Sequence, residues 1–355
     1  MNRRQFLWLA GVAACGGSAP PVRRRPSTRP RSHRVDVPPP NAWSGGDDWS
    51  YARATQTAHS PLAVRGDLLV IATADELRFV DARTLARTDG ISIRHARYCL
   101  LQDGTIAALG DDCALDLIDA QLVPRPLLVP ACDATVGRRL VAGASAAELY
   151  IADGDFRLDR VRIANGVVAP LGTIDLATKV GDAIEQLLGL GDGRVVFPTG
   201  RSLVVQQPDK PAITYATPAH APGHLAAGPV GAIWYSSWSH DRVEQLVLAR
   251  LGTQLEIVKA VDVAPGRITH MASGETGALA AVITVARGDA WHWELLLLDE
   301  TGAQRWRVPV PDDIAAKVGY DLDVAFVALT AHRVVLYAER FGLFAWDAAT
   351  GARIP

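Results

Sequence analysis

Apolar segments alternate with short polar segments along most of the chain. Apolar runs rich in valine, isoleucine, leucine and aromatic residues are separated by short breaks rich in glycine, aspartate and proline. Such runs predict β-strands, and such breaks predict tight turns. A representative unit, LLVIATADELRFVDARTLA from Leu68, reads as a strand, a polar turn, a second strand and a further turn. No long stretch of the sequence shows helical periodicity.

The unit recurs along the sequence. The six further copies begin near Thr105, Glu148, Arg194, Ala232, Leu279 and Arg333. An apolar run precedes each copy and a short run follows it, which gives four strands per unit. If the stretch from His59 onward is divided into seven units, each unit has about 42 residues. This length agrees with propeller blades of four strands, which repeat every 40–45 residues or so. The sequence therefore predicts an all-β, seven-bladed β-propeller of four-stranded antiparallel blades over residues 49–355.

The turn that closes the last unit carries a recognisable motif. In FGLFAWDAATGARIP a strand ends in Asp-x-x-Thr-Gly, with Asp347, Thr350 and Gly351 at the defined positions. Looser copies contain Asp299 and Asp81. The pattern resembles the repeat of pyrroloquinoline-quinone-type and WD-like propellers over three of the seven units, and it implies architecture more than activity. Its physical basis is turn chemistry, because Asp bonds nearby backbone and Gly accepts positive φ.

The sequence ends a few residues after this motif. We therefore expect the seventh blade to lack its own outer strand. The segment WSYARATQ, Trp49–Gln56, is predicted to supply that strand. Pairing of this kind would join the two ends of the domain and leave no open sheet edge.

Residues 1–14 have the organisation of a cleaved export signal. Arg3 and Arg4 precede a nine-residue apolar run, Phe6–Ala14, which ends in small residues directly before Cys15. A helix of that length would span about 14 Å, whereas the hydrocarbon core of a membrane is about 30 Å thick. A basic start, a short apolar core and small residues are typical of a signal peptide and not of a membrane span.

Two motifs in this signal resemble known export signals. RRQFL, with Arg3 and Arg4, resembles the twin-arginine signal, and the general secretory route is the alternative. VAAC resembles the lipobox of bacterial lipoproteins, which implies cleavage before Cys15 and acylation of that cysteine; an incidental cysteine after a plain signal peptide is the alternative. The residue after the cysteine, Gly16, is not the aspartate that commonly retains such lipoproteins at the inner membrane, so placement at the outer membrane is expected.

Charge divides the mature chain into two parts of opposite sign. Within residues 15–48, the stretch Gly16–Pro40 is rich in proline and carries six arginines against one acid. Proline favours extended chain, so we expect a disordered basic tether that acts as a spacer, with attraction of its arginines to anionic lipid as the alternative. The propeller region is acidic. Because phosphate binding needs a positive face, nucleic acid is not expected as a partner.

The sequence contains no zinc-protease, Walker A or nucleophile-elbow pattern, so we expect no cofactor and no metal. With Cys15 acylated, the remaining cysteines Cys99, Cys113 and Cys132 all belong to the second unit. Cys113 and Cys132 are predicted at one propeller face, where a disulfide could form in an oxidising compartment. Buried free thiols, or a metal site with His95, are the alternatives.

The turns between second and third strands and the connections between blades share one face of a propeller. Polar loops on a rigid scaffold are frequent binding sites, and Trp and Arg are enriched in interface hot spots. The candidate binding face on or beside these turns comprises Trp238, His240, Asp241, Arg242, Arg287, Asp289 and Arg340. His224 and His270 are predicted near the neighbouring connections, and Trp238 in the turn itself. Ordinary solvated turn residues are the alternative interpretation.

Together these features predict an exported, lipid-anchored β-propeller that acts as a non-enzymatic binding scaffold at the cell envelope. The expected partners are the membrane, through the lipid anchor, and another envelope protein. The chain is distantly similar to propeller lipoproteins that assist outer-membrane assembly. The alternative is a periplasmic enzyme on a propeller scaffold, such as a quinone-dependent oxidoreductase or a lyase, which a bound cofactor absorbing visible light would favour.

Overall fold

The computed structural model describes residues 62–355 apart from 74, 94–96, 102, 111–112, 130–138, 146, 153–156, 176–186, 200, 218–221, 239–242, 265, 288–289, 312, 315–324 and 339–341. These residues form 28 strands in seven sheets, and each sheet contains four consecutive antiparallel strands in chain order. The predicted seven-bladed propeller is therefore confirmed. The described part of the chain contains no helix that is long and apolar enough to cross a membrane.

Each blade is built from one of the seven units found in the sequence. Blade one contains β1 (Leu62–Arg65), β2 (Leu68–Ala72), β3 (Glu76–Asp81) and β4 (Arg87–Ser92). Blade two contains β5 (Arg97–Leu100), β6 (Ile106–Leu109), β7 (Ala114–Ile118) and β8 (Pro124–Leu128). Blade three contains β9 (Arg139–Ala142), β10 (Glu148–Ala152), β11 (Arg157–Ala164) and β12 (Val167–Asp175). Blade four contains β13 (Leu188–Gly189), β14 (Val195–Thr199), β15 (Ser202–Gln206) and β16 (Ile213–Ala216).

The remaining three blades follow the same order. Blade five contains β17 (Leu225–Ala227), β18 (Ala232–Trp238), β19 (Glu244–Leu251) and β20 (Leu255–Asp262). Blade six contains β21 (Arg267–Ser273), β22 (Leu279–Arg287), β23 (Ala290–Leu298) and β24 (Gln304–Pro309). Blade seven contains β25 (Ala325–Leu329), β26 (Arg333–Ala338), β27 (Gly342–Asp347) and β28 (Arg353–Ile354).

The core is divided among the joints between blades. Seven clusters of buried side chains occur in the described part of the chain, and each cluster combines residues of two neighbouring blades. Along β22 the side chains alternate, since Ala281 and Ile283 pack toward blade five whereas Ala280 and Val282 pack toward blade seven. Because both faces of the second strands are largely buried, these strands read as continuous apolar runs, as in β6 and β10.

Blade seven differs from the sequence-based expectation. Its outer strand is β28, which pairs with β27 through Ala345–Ile354 and Trp346–Arg353. The expectation that this blade lacks its own outer strand is therefore wrong. Trp49–Gln56, which was predicted to supply the strand, lies outside the described residues. Blade seven meets blade one through apolar packing that includes Leu62.

The Asp-x-x-Thr-Gly turn behaves as its chemistry predicts. One carboxylate oxygen of Asp347 accepts hydrogen bonds from the backbone N–H groups of Ala349 and Thr350 and from the Thr350 hydroxyl, at 3.0, 2.8 and 2.8 Å. Gly351 adopts a φ of 73°, which costs glycine little. Asp81 and Asp299 cap their own turns in the same way. The carboxylate therefore fixes the turn that leads each of these third strands into the outer strand.

Candidate functional site

The structure describes only part of the predicted binding face. Trp238 is fully described, and Arg287 is the last residue of β22. The other members lie outside the described residues: His240, Asp241, Arg242, Asp289 and Arg340. The export and lipidation residues lie there as well: Arg3, Arg4 and Cys15. The site is therefore built from Trp238 and the described side chains around it.

Trp238 is not in the turn, as the sequence suggested, but is the last residue of β18. It pairs directly with Glu244 at the start of β19, so the two residues flank the turn between second and third strands of blade five. The connection from blade five to blade six ends at the same propeller face as this turn. Arg267, the first residue of β21, lies at the end of that connection. The Arg267 guanidinium lies over the half-buried Trp238 ring, 5.5 Å from its centroid. This geometry is a cation–π contact between two blades.

Glu244 lies beneath this contact and is 7% exposed. Its Oε2 accepts a hydrogen bond from the backbone N–H of Ile268 at 3.0 Å, which ties blade five to the inner strand of blade six. Burial raises the pKa of the Glu244 carboxyl to about 7, while the Ile268 hydrogen bond and the Arg267 charge oppose that rise. A carboxyl group with such a pKa is close to half ionised at neutral pH.

Two histidines continue the polar cluster toward the inner strands. His224 lies just before β17, and its backbone N–H donates to the Ser236 hydroxyl at 2.9 Å. Its ring is hydrogen-bonded to the backbone of Ile268, which already donates to Glu244. Burial lowers the pKa of His224, and the bond to Ile268 partly counters this effect. Ile268 thus connects two titratable side chains of blade five to blade six.

His270 faces the opposite joint. The sequence placed it near a connection, but it lies inside β21, where its Nδ1 accepts the backbone N–H of Val327 in blade seven at 3.0 Å. Its ring meets the Phe326 ring edge-on, with centroids 5.1 Å apart. Burial lowers the pKa of His270 to about 3, with a further contribution from the charge of His224. The neutral ring therefore bridges the inner strands of blades six and seven.

A β-bulge explains why β21 serves both joints. The pairing between β21 and β22 shifts between Ile268 and His270, so Thr269 is the extra residue. Without the bulge, Ile268 and His270 would share a face, because side chains alternate along a strand. With it, Ile268 packs toward blade five while His270 contacts blade seven.

Sequence reasoning identified Trp238 and both histidines by residue type but missed Glu244 and Arg267. A signal for both was present. Glu244 is a charged residue in the apolar run VEQLVLA, and Arg267 begins the inner-strand run RITHMA. Charged residues at strand positions expected to be apolar indicate either a satisfied buried pair or a functional group.

The cysteines show two different states. Cys113 is disulfide-bonded, whereas Cys99 is a free thiol on the inner strand β5. Burial raises the pKa of Cys99 to about 12, so its reactive thiolate is scarce at neutral pH. Cys132 and His95 lie outside the described residues, so the pairing of Cys113 with Cys132 stays a prediction.

Comparison with known proteins defines the class by architecture. No protein-family model matches the chain, and no curated protein matches its sequence. A chain in the crystal structure of the mitotic checkpoint complex is 15% identical with a TM-score of 0.57, and the match covers 96% of this chain and 98% of that one. Hsv2 of Kluyveromyces lactis is 13% identical with a TM-score of 0.54, covering 82% and 94% of the two chains.

A third similar structure is the β-propeller domain of Cps50 (Swd1) from Myceliophteria thermophila. It is 15% identical with a TM-score of 0.54, and the match covers 83% of this chain and 95% of that domain. At these identities the likeness concerns the fold alone. The protein is a seven-bladed β-propeller, and its role has to be argued from its own residues.

Proposed function

We propose that this protein is a non-enzymatic binding scaffold whose partner contacts the propeller face at the joint of blades five and six. The observation that carries the proposal is the exposed Arg267 guanidinium held on the half-buried Trp238 ring. Trp and Arg are the residue types most enriched at interface hot spots. Sheets on both sides hold these side chains in place, so little conformational freedom is lost on binding.

The structural neighbours are in line with this role. One of them is part of the mitotic checkpoint complex. Another, PorZ, is described as a bacterial surface component of the type-IX secretion system of Porphyromonas gingivalis; it is 14% identical with a TM-score of 0.50, and the match covers 83% of this chain and 38% of that one. These proteins share the fold with the present chain, and the fold is well suited to presenting loops on a rigid frame.

The scaffold is tested by affinity capture with the full chain from cell-envelope extracts, followed by quantitative mass spectrometry. The double variant Trp238→Ala, Arg267→Ala should capture at least about tenfold less of a stoichiometric protein than the wild type, as expected for hot-spot residues. Arg83→Ala, an exposed residue in a turn between third and fourth strands, is the control and should capture normally. Equal capture by all three proteins would refute this face, and a bound chromophore would favour an enzyme.

We further propose that the protein is exported and anchored by lipid at Cys15, with the acidic propeller carried on the basic tether. The support is the sequence RRQFLWLAGVAAC and the opposite charges of tether and body. Multiple acyl chains are needed for a stable anchor. The proposed place is the outer membrane, and its support is that Gly16 follows the cysteine where an aspartate commonly retains such lipoproteins at the inner membrane.

Anchoring is tested by metabolic labelling with a fatty-acid probe. The variant Cys15→Ser should lose the label and leave the membrane fraction, whereas Cys99→Ser should keep both properties. A labelled Cys15→Ser variant contradicts the anchor. The double variant Arg3→Lys, Arg4→Lys should block export through the twin-arginine route, and normal export would indicate the general secretory route.

A further inference from the structure

Arg267 differs from the other stacked arginine in the described part of the chain. Arg353 lies over the Phe344 ring at 5.8 Å, but its guanidinium is also paired with Asp313 at 3.3 Å. Arg267 lies over Trp238 at a similar distance, and it has no hydrogen bond or salt bridge from its guanidinium among the described residues. The Arg267 donors are therefore held in place without a hydrogen-bond acceptor among the described residues.

The Glu244 carboxylate, whose charge interacts with Arg267, does not accept from these donors. Glu244 is close enough for its charge and that of Arg267 to interact, yet its Oε2 is bonded to the Ile268 N–H. Elsewhere in the propeller, arginines beside buried glutamates form direct pairs, as Arg87 does with Glu76 at 2.8 Å. The difference at Arg267 leaves a planar fork of N–H groups at the surface, and this fork matches a carboxylate in a bidentate geometry.

We propose that the partner presents a carboxylate, from an acidic side chain or a chain terminus, to the Arg267 guanidinium, with an apolar group of the partner covering the exposed part of Trp238. This inference rests on the proposed function, because it names the chemistry of the partner at that face. The cation–π contact with the indole restrains the guanidinium before binding. A preorganised donor loses less side-chain entropy than a free arginine when the ion pair forms.

The charge of Glu244 changes how strongly this surface attracts an anionic partner. When ionised, it offsets the charge of Arg267 and repels an incoming carboxylate. Removing that charge should therefore strengthen binding of an anionic partner and weaken binding of a cationic one. Glu244→Gln is suited to this test because the amide oxygen can still accept the Ile268 N–H. The direction of its effect separates the two kinds of partner.

The probe is a capped tetra-glutamate peptide, with tetra-glutamine and tetra-lysine peptides as references, titrated against the purified full chain. Arg267→Ala should weaken tetra-glutamate binding by about tenfold, and Arg267→Lys should weaken it by about fivefold because the charge remains but the fork is lost. Arg201→Ala is the matched control. Arg201 is exposed in the turn between β14 and β15 on the same face, and no aromatic ring lies under it among the described residues.

The expected pattern is weaker binding in both Arg267 variants, stronger binding in Glu244→Gln and unchanged binding in Arg201→Ala. Equal binding by Arg267→Lys and wild type would reduce the effect to net charge and overturn the proposal. Preference for tetra-lysine, or for vesicles containing phosphatidylglycerol over tetra-glutamate, would also overturn it. If Trp238→Ala loses partner capture while Arg267→Lys retains it, the scaffold face stands and the carboxylate proposal fails.

Discussion

Replacing His270 with alanine removes the group that accepts the Val327 N–H across the joint of blades six and seven. Leaving that donor unpaired costs about 1–3 kcal/mol. Loss of the edge-on contact with Phe326 costs about 0.5–1.5 kcal/mol more. We therefore expect His270→Ala to lower the free energy of unfolding by about 2–4 kcal/mol at pH 8.

The pH dependence of this effect follows from the pKa of His270, which burial lowers from 6.5 to about 3. Below pH 6.5 the unfolded chain takes up a proton at this residue that the folded protein does not. The contribution of His270 to stability is therefore complete above pH 6.5 and is lost as the pH falls toward 3. The loss is at most about 1.4 kcal/mol per pH unit, or about 2 kcal/mol between pH 8 and pH 5.

The assay is urea unfolding, followed by far-UV circular dichroism, of wild type, His270→Ala and His270→Asn at pH 8 and pH 5. Asparagine can place an oxygen near the position of Nδ1 and does not titrate, so it should cost less than alanine at pH 8. The advantage of the wild type over His270→Asn should shrink at pH 5. Equal stability of wild type and His270→Ala at pH 8, or an advantage over His270→Asn that is independent of pH, would refute this reasoning.

Three further substitutions test other contacts by the same unfolding measurement. Glu244→Gln should be more stable than wild type at pH 8, because a carboxyl whose folded pKa is raised to about 7 loses its contribution to stability as the pH rises from 4.5 through 7. The difference in stability should vanish toward pH 4.5. A variant less stable than wild type at pH 8 would contradict the raised pKa. Gly277→Ala should lower the free energy of unfolding by about 2 kcal/mol more than Gly66→Ala. Both glycines have positive φ, but only at Gly277 would an added Cβ lie 2.4 Å from a backbone atom, the nitrogen of Pro229. Equal losses of stability would mean that this contact has no effect. Trp306→Phe should cost about 1–2 kcal/mol, because it removes an indole N–H donated at 3.0 Å to a carbonyl of blade seven, and an unchanged stability would show that the bond contributes nothing.

The architecture could be predicted from the sequence because the second strand of each blade is largely buried on both faces. Runs such as LLVIA, which becomes β2, therefore stay apolar throughout and stand out against polar turns. The outer strand of blade seven could not be predicted in the same way. β28 has only two residues, and its Arg353 is exposed, so it has neither the length nor the pattern of a strand.

The candidate site was only partly predictable for a geometric reason. Trp238 and Arg267 are 29 positions apart, and they meet because a turn and a blade connection reach the same face. The direction of His270 depends on the bulge at Thr269, which shifts the alternation by one residue. Strand periodicity alone assigns His270 to the wrong joint, because the sequence carries no clear mark of the bulge.

The threading of the sheets has a mechanical consequence. Each sheet consists of four consecutive strands and contains no strand from a neighbouring blade. The backbone therefore passes from one blade to the next at six of the seven joints, and the seventh joint lies between blades seven and one. The joint between blades seven and one contains apolar side-chain packing that includes Leu62, and no described stretch of backbone runs from blade seven to blade one. Pulling the ring open at that seam stretches no described peptide linkage, whereas opening it anywhere else is limited by a covalent connection.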